Sequence, residues 1–158
     1  MPSDQKPSLR AGQTFPDTFI DGMFNGTDWN RLHAMVRHGL TQKAYGASTV
    51  SRFLALCLVN EEMRTMLRRL IVPERSWKRR IGGRSPLSAG EMERMIVVGE
   101  VVRETRRLYG GNTAAAETFL LRPHHRFAGQ PPILVAATEG GAQAVRELLA
   151  RMEEGAPA

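Results

Sequence analysis

The sequence predicts an all-α fold. Three observations predict it. Apolar residues recur at intervals of three and four through most of the chain, helix caps and stops punctuate those runs, and no segment alternates as a strand does. With 158 residues and 42% hydrophobic content, the chain suits one compact domain or two very small ones.

The elements follow in order. Met1 to about Gly26 is rich in Pro, Ser, Asp and Gly and reads as a flexible tail or an extended arm. Phe15, Phe19 and Met23 are spaced for one face of a short helix, which would pack on its own domain or dock on a partner. Thr27 caps a helix carrying Trp29, Leu32, Met35 and Val36, and Gly39 ends it. A second helix is expected from about Ser48 to Val59. Asn60 caps a third, with Glu61 and Glu62 in its first turn, where carboxylates favour the helix dipole. Its apolar positions are Met63, Met66, Leu67 and Leu70. Pro73 starts a short helix to about Ile81.

Gly82-Gly83-Arg84-Ser85-Pro86 is a break. Ser88 and Glu91, three apart, fit a capping box, and a long helix follows to about Tyr109, with Met92, Met95, Ile96, Val102 and part of Leu108 on its apolar face. Gly110-Gly111 stops it. Thr113 starts the next helix, which carries Ala116, Phe119 and Leu120 and ends before Pro123. Arg122 to Pro131 reads as a loop and Pro132 to Ala137 as a short helix. Thr138 is read as the cap of a last helix with Val145, Leu148, Leu149 and Met152 on one face, closed by Gly155.

Composition narrows the function classes. The single cysteine, Cys57, excludes an internal disulfide and a metal site built on several cysteines, and its apolar neighbours mark it as an inert core residue. No apolar run approaches the roughly 18–20 residues of a membrane helix. The N-terminus lacks the basic-then-apolar build of a signal peptide, so a cytoplasmic location is expected.

Net charge is +6 and unevenly spread. Residues 1–27 hold 2 basic and 3 acidic residues, and residues 87–158 hold 8 and 9. Residues 28–86 hold 12 basic and 4 acidic, a local +8. A middle third this basic is the footprint of a segment that faces a polyanion. Within it, Asn60 to Ile81 has the form of a helix-turn-helix, whose second helix enters the major groove of DNA. The expected DNA contacts are Arg75, Ser76, Lys78 and Arg79, with Arg80 and Arg84 on phosphates. Trp77 would face the scaffold. A solvated basic helix without a ligand is the plainer alternative.

The last third carries the most specific pattern. Phe127-Ala128-Gly129-Gln130-Pro131-Pro132-Ile133-Leu134-Val135-Ala136-Ala137-Thr138-Glu139-Gly140-Gly141, followed by a terminal helix ending near Gly155, resembles the toxin-binding domain of Xre/MbcA/ParS antitoxins. Upstream, Val72-Pro73-Glu74-Arg75-Ser76-Trp77-Lys78-Arg79-Arg80 is similar to the family's recognition helix, and Leu87-Ser88-Ala89-Gly90-Glu91 to the segment after it. The resemblance covers about Leu32 to Gly155. Departures lie at Pro123-His124-His125-Arg126, Phe127-Ala128-Gly129 and Val135-Ala136, where the family commonly has Asn-Pro, Leu-Gly-Gly and Leu-Leu.

Beyond the arm over 1–26 read from composition, the resemblance implies an Xre-like helix-turn-helix domain over 27–86 and a small helical toxin-binding domain over 87–155. It implies a RES-domain toxin as partner, one that consumes NAD or transfers from it, neutralised by occlusion of its cleft. It also implies operator DNA, repression of the chain's own operon, and self-association as a homodimer or a larger complex with the toxin. The expected toxin contacts are His124, His125, Arg126, Phe127, Gly129, Thr138, Gly140, Gly141, Arg146, Arg151, Glu153 and Glu154. Gly140 and Gly141 would permit close approach of another chain, or tight packing within this one.

No cofactor, metal or catalytic residue is expected. His124 and His125 are adjacent on a loop and make no metal site without a third ligand. His33 and His38 lie five apart, off the spacing that puts two residues on one helical face. No nucleophile has a base nearby, and no glycine loop would cradle a phosphate. A helix-turn-helix regulator without a toxin partner is the rival reading; it would need a sensor pocket for which the chain leaves little room.

Overall fold

In a computed structural model, residues 46–82 and 85–157 are described. The arm, the helix expected after Thr27, His33, His38, Gly39 and Arg84 lie outside the described residues. Within them the structure is helical: α1 (Ala47–Cys57), α2 (Glu61–Ile71), α3 (Glu74–Gly82), α4 (Ala89–Leu108), α5 (Thr113–Leu121), α6 (Pro132–Ala136) and α7 (Gly141–Glu153), with a 3-10 turn at His125–Phe127. The all-α expectation is borne out.

The caps explain most boundaries. The Asn60 side chain accepts from the Met63 amide at 2.9 Å and starts α2. Ser88 and Glu91 form the full capping box of α4, with Ser88 Oγ accepting from the Glu91 amide at 3.2 Å and Glu91 Oε2 from the Ser88 amide at 2.7 Å. Asn112 caps α5 through the Ala115 amide. Gly110 and Gly111, at φ +62° and +83°, end α4 with a turn that side chains resist.

α4 is the central helix. α1, α2, α5, α6 and α7 all pack against it, and α2 also meets α6. Its buried residues occur on nearly every side, from Met92, Met95 and Ile96 to Val98, Val101, Val102 and Thr105, as expected of a helix enclosed by neighbours. One core runs from Val50 and Phe53 through Leu67, Met95 and Leu120 to Ile133 and Leu149. Cys57 is buried in it, and burial pushes its thiol pKa well up. The thiolate is therefore suppressed and the residue acts as a small hydrophobe.

Arginines satisfy the exposed ends of helices. Arg106 donates to the carbonyls of Leu56 and Cys57 at the end of α1. Arg64 donates to Leu58 and Val59, and Arg94 to Ile71 at the end of α2. Each supplies the donors that terminal carbonyls lack.

Two expectations are corrected here. The buried face of α2 is Leu67, Arg68 and Ile71, while Met66 and Leu70 remain 42% and 38% exposed. Arg68 is carried inward because its guanidinium finds Glu74, the Val72 carbonyl and the face of Trp77, 4.9 Å from the ring centroid. Thr138 is not the cap of α7. Gly140 holds that position, at φ +71° with no side-chain bond, while Thr138 Oγ1 donates to the Val135 carbonyl at 2.7 Å and closes α6.

Candidate functional site

Two surfaces gather the candidate residues. The first is the outer face of α3. The α2–α3 turn is only Val72-Pro73, and Trp77 packs partly buried against the core, as its place opposite the basic residues predicts. One turn of helix then separates inward from outward positions. Arg75, Lys78 and Arg79 are exposed together on the outer side, with Ser76 half-buried at its edge. Exposed Arg69 of α2 lies beside them, 3.7 Å from Glu74. Hydrogen bonding to Arg68 holds the Glu74 carboxyl below its ordinary range.

Arg80 leaves this set. It is 9% exposed and turned inward, paired with Glu91 of α4 at 2.8 Å and bonded to the Pro86 carbonyl. The expectation that it meets a phosphate is thus corrected: an arginine at that angle on α3 points into the scaffold. Arg64, Arg68 and Arg80 are all engaged with the protein's own groups, so the outward charge of the middle third is smaller than its +8.

The second surface is built by the loop after α5 and the start of α7. The loop is folded on itself. His124 and Gln130 form an antiparallel bridge, with the His124 amide donating to the Gln130 carbonyl at 3.2 Å. The Phe127 and Gly129 amides both donate to the His124 carbonyl, at 3.0 and 3.1 Å. Ala128 and Gly129 turn the chain at φ +51° and +78°. His124 accepts the Arg126 amide on Nδ1 at 3.3 Å and stacks on His125, with ring centroids 4.7 Å apart. Phe119 and Phe127 flank it. Desolvation, with His125, Arg126 and Arg122 nearby, pushes the His124 pKa down, so the neutral ring that the Nδ1 bond requires is favoured. The outcome is a preformed loop that presents His125 and Arg126 to solvent, over a half-buried Phe127.

The structure divides the remaining candidates. Thr138, Gly140, Arg151 and Glu154 are exposed. Gly141 is buried, and its close approach is within the chain: a Cβ there would collide with the Val135 carbonyl oxygen and the Thr138 hydroxyl. Arg146 pairs with Glu100 of α4 and, at 3.4 Å, with Glu104. Burial raises the Glu104 pKa, against the pull of Arg146 and Arg103. Glu153 is gripped by Arg107 through two bonds of 2.9 and 3.1 Å, which lower its pKa. Arg146 and Glu153 therefore tie α7 to α4. Sequence reasoning missed Glu100, Glu104 and Arg107, the α4 partners in that seam; their spacings of three and four on one long helix were the available signal.

No group of three or more His, Cys, Asp or Glu suited to a metal ion occurs among the described residues. No described helix is long and apolar enough to cross a membrane.

Comparison with known proteins bears on the second surface. Residues 105–155 match the model of the antitoxin Xre/MbcA/ParS C-terminal toxin-binding domain. Over these residues the chain is similar to the toxin-binding domain of that antitoxin family. The matched segment begins at the last turn of α4 and ends just past α7, so it contains the folded loop, α6, α7 and the Arg107–Glu153 pair of the seam. Antitoxin Xre of Pseudomonas putida is 30% identical over 85 residues, which are 54% of this chain and 53% of the relative. The chain thus spans about half the length of the curated relative it matches.

Proposed function

We propose that this chain is an antitoxin of the Xre/MbcA/ParS kind and neutralises a RES-domain toxin by covering the cleft in which the toxin handles NAD. The observation that carries the reading is the coincidence of the toxin-binding match with a rigid, solvent-facing surface: the His124–Gln130 loop, Thr138 to Gly140 and the outer side of α7. A loop already fixed by its own hydrogen bonds loses little conformational entropy on binding. His125, Arg126, Arg151 and Glu154 supply exposed polar groups, and Phe127 an apolar one. Arg146 and Glu153 hold α7 in place for the partner. Occlusion needs no chemistry from this chain. A stable complex would bury at least about 1,000 Å² in total.

A second role rests on α3. Arg75, Lys78 and Arg79, exposed beside Arg69, form the face that would enter the major groove. The chain would repress its own operon from a paired operator, as a dimer or in a larger assembly with the toxin.

Co-expression with the product of the adjacent gene tests the reading. The expected result is rescue of growth and co-purification, both lost when Arg126→Asp and Arg151→Asp are combined in a chain that still folds. A neighbour that is harmless alone, or that never binds this chain, refutes the toxin reading and leaves a DNA-binding regulator.

A further inference from the structure

α3 is seated by two arginines that face inward. At its N-terminal end, Arg68 of α2 reaches Glu74, the Val72 carbonyl and the Trp77 ring. At its C-terminal end, Arg80 spreads its fork over Glu91, with Nε 3.4 Å from Oε1 and the terminal nitrogen 2.8 Å from Oε2, and also holds the Pro86 carbonyl. Both side chains of this pair are nearly sealed from solvent, at 8% and 4% exposure.

Glu91 serves twice. The oxygen that receives Arg80 also accepts the Ser88 amide in the capping box of α4. One carboxylate therefore joins the end of α3 to the first turn of the central helix. An arginine fork against a carboxylate fixes direction as well as distance, which a lysine ammonium does not. The rotation of α3 decides whether Arg75, Lys78 and Arg79 point outward together, since positions on a helix turn 100° per residue.

We infer that Arg80 is a positioning residue for DNA reading. It sets the angle at which α3 presents Arg75, Lys78 and Arg79, and does not itself touch DNA. The inference rests on the DNA-binding role proposed above.

The test uses fluorescence anisotropy of the full chain with two probes, a duplex from upstream of its own reading frame and a scrambled duplex of the same composition. Salt is varied from about 50 to 200 mM. Lysine is a competent phosphate contact, so Arg80→Lys separates the two roles. Positioning predicts about tenfold weaker binding of the upstream duplex, the scale of one mismatched base pair. It also predicts unchanged binding of the scrambled duplex and an unchanged salt slope. Arg75→Gln, by contrast, should lower the slope by about one. Lost folding stability alone would weaken both probes equally and leave their ratio intact.

Arg80→Lys that keeps the upstream affinity overturns the inference, as does a slope that falls as in Arg75→Gln. Should Arg80→Lys not fold, the double change Arg80→Met with Glu91→Leu removes both charges together. The ratio of the two affinities should again fall at constant slope, and a slope lower by about one overturns the inference. A wild-type chain that binds neither duplex refutes the DNA-binding role itself, and this inference with it.

Discussion

Consider alanine at Gly140 and at Gly141, adjacent glycines at the start of α7. Helix propensity alone favours alanine over glycine by about 1 kcal/mol at an interior position, and on that ground neither change should be costly. The structure separates them. At Gly140 a Cβ would meet nothing within 4 Å, but φ is +71°. The cost is that of left-handed backbone, about 1–2 kcal/mol. At Gly141 the Cβ would lie 2.9 Å from the Val135 carbonyl carbon and closer still to its oxygen. That oxygen cannot swing away freely, because it accepts the Thr138 amide at 3.0 Å and the Thr138 hydroxyl at 2.7 Å. Moving it sacrifices about 1 kcal/mol for each bond, in addition to the roughly 1–3 kcal/mol of overpacking. Gly141→Ala is thus expected to destabilise by about 2–4 kcal/mol net of propensity, roughly twice the cost of Gly140→Ala. In a chain of 158 residues this lowers the melting midpoint by roughly 4–16 °C. Urea titration followed by circular dichroism, alongside calorimetry, gives both numbers. Gly141→Ala as stable as Gly140→Ala would refute the close approach of α6 and α7.

Other expectations follow from the same geometry. Ala128→Gly, at φ +51°, should stabilise the chain by about 0.5–1 kcal/mol, read as a higher urea midpoint. Arg146→Ala takes one cationic partner from buried Glu100 and should destabilise by about 1–3 kcal/mol. Arg146→Met with Glu100→Leu should regain most of that loss, which a double-mutant cycle measures. The His124 pKa is depressed below its ordinary 6.5, so the folded state favours the neutral ring. Its contribution to stability is complete above about pH 6.5 and is lost as pH falls from there through the folded value. Stability profiles between pH 5 and 8 should accordingly be flatter for His124→Gln than for the parent chain.

The sequence by itself determined the helical class and most element limits, because caps and stops act locally. Asn60, the Ser88–Glu91 box, Gly110-Gly111 and Pro132 work through their own backbone neighbours, so spacing along the chain is sufficient to read them. The same holds for the buried Cys57 and for Trp77, set by the periodicity of a single helix.

Only the tertiary structure decided what each charge does. Periodicity placed Met66 and Leu70 inward and gave no reason to bury Arg68, since the reason, Glu74 with Trp77, lies beyond a turn. Arg80 looked like its neighbours Lys78 and Arg79 until α4 supplied Glu91, eleven residues on. Arg146 and Glu153 looked like surface groups of the last helix until α4 brought Glu100 and Arg107 against them, forty-six residues away in sequence. An ionised side chain turns inward when desolvation is offset by a partner. That partner is supplied by the packing of helices, which local sequence does not encode.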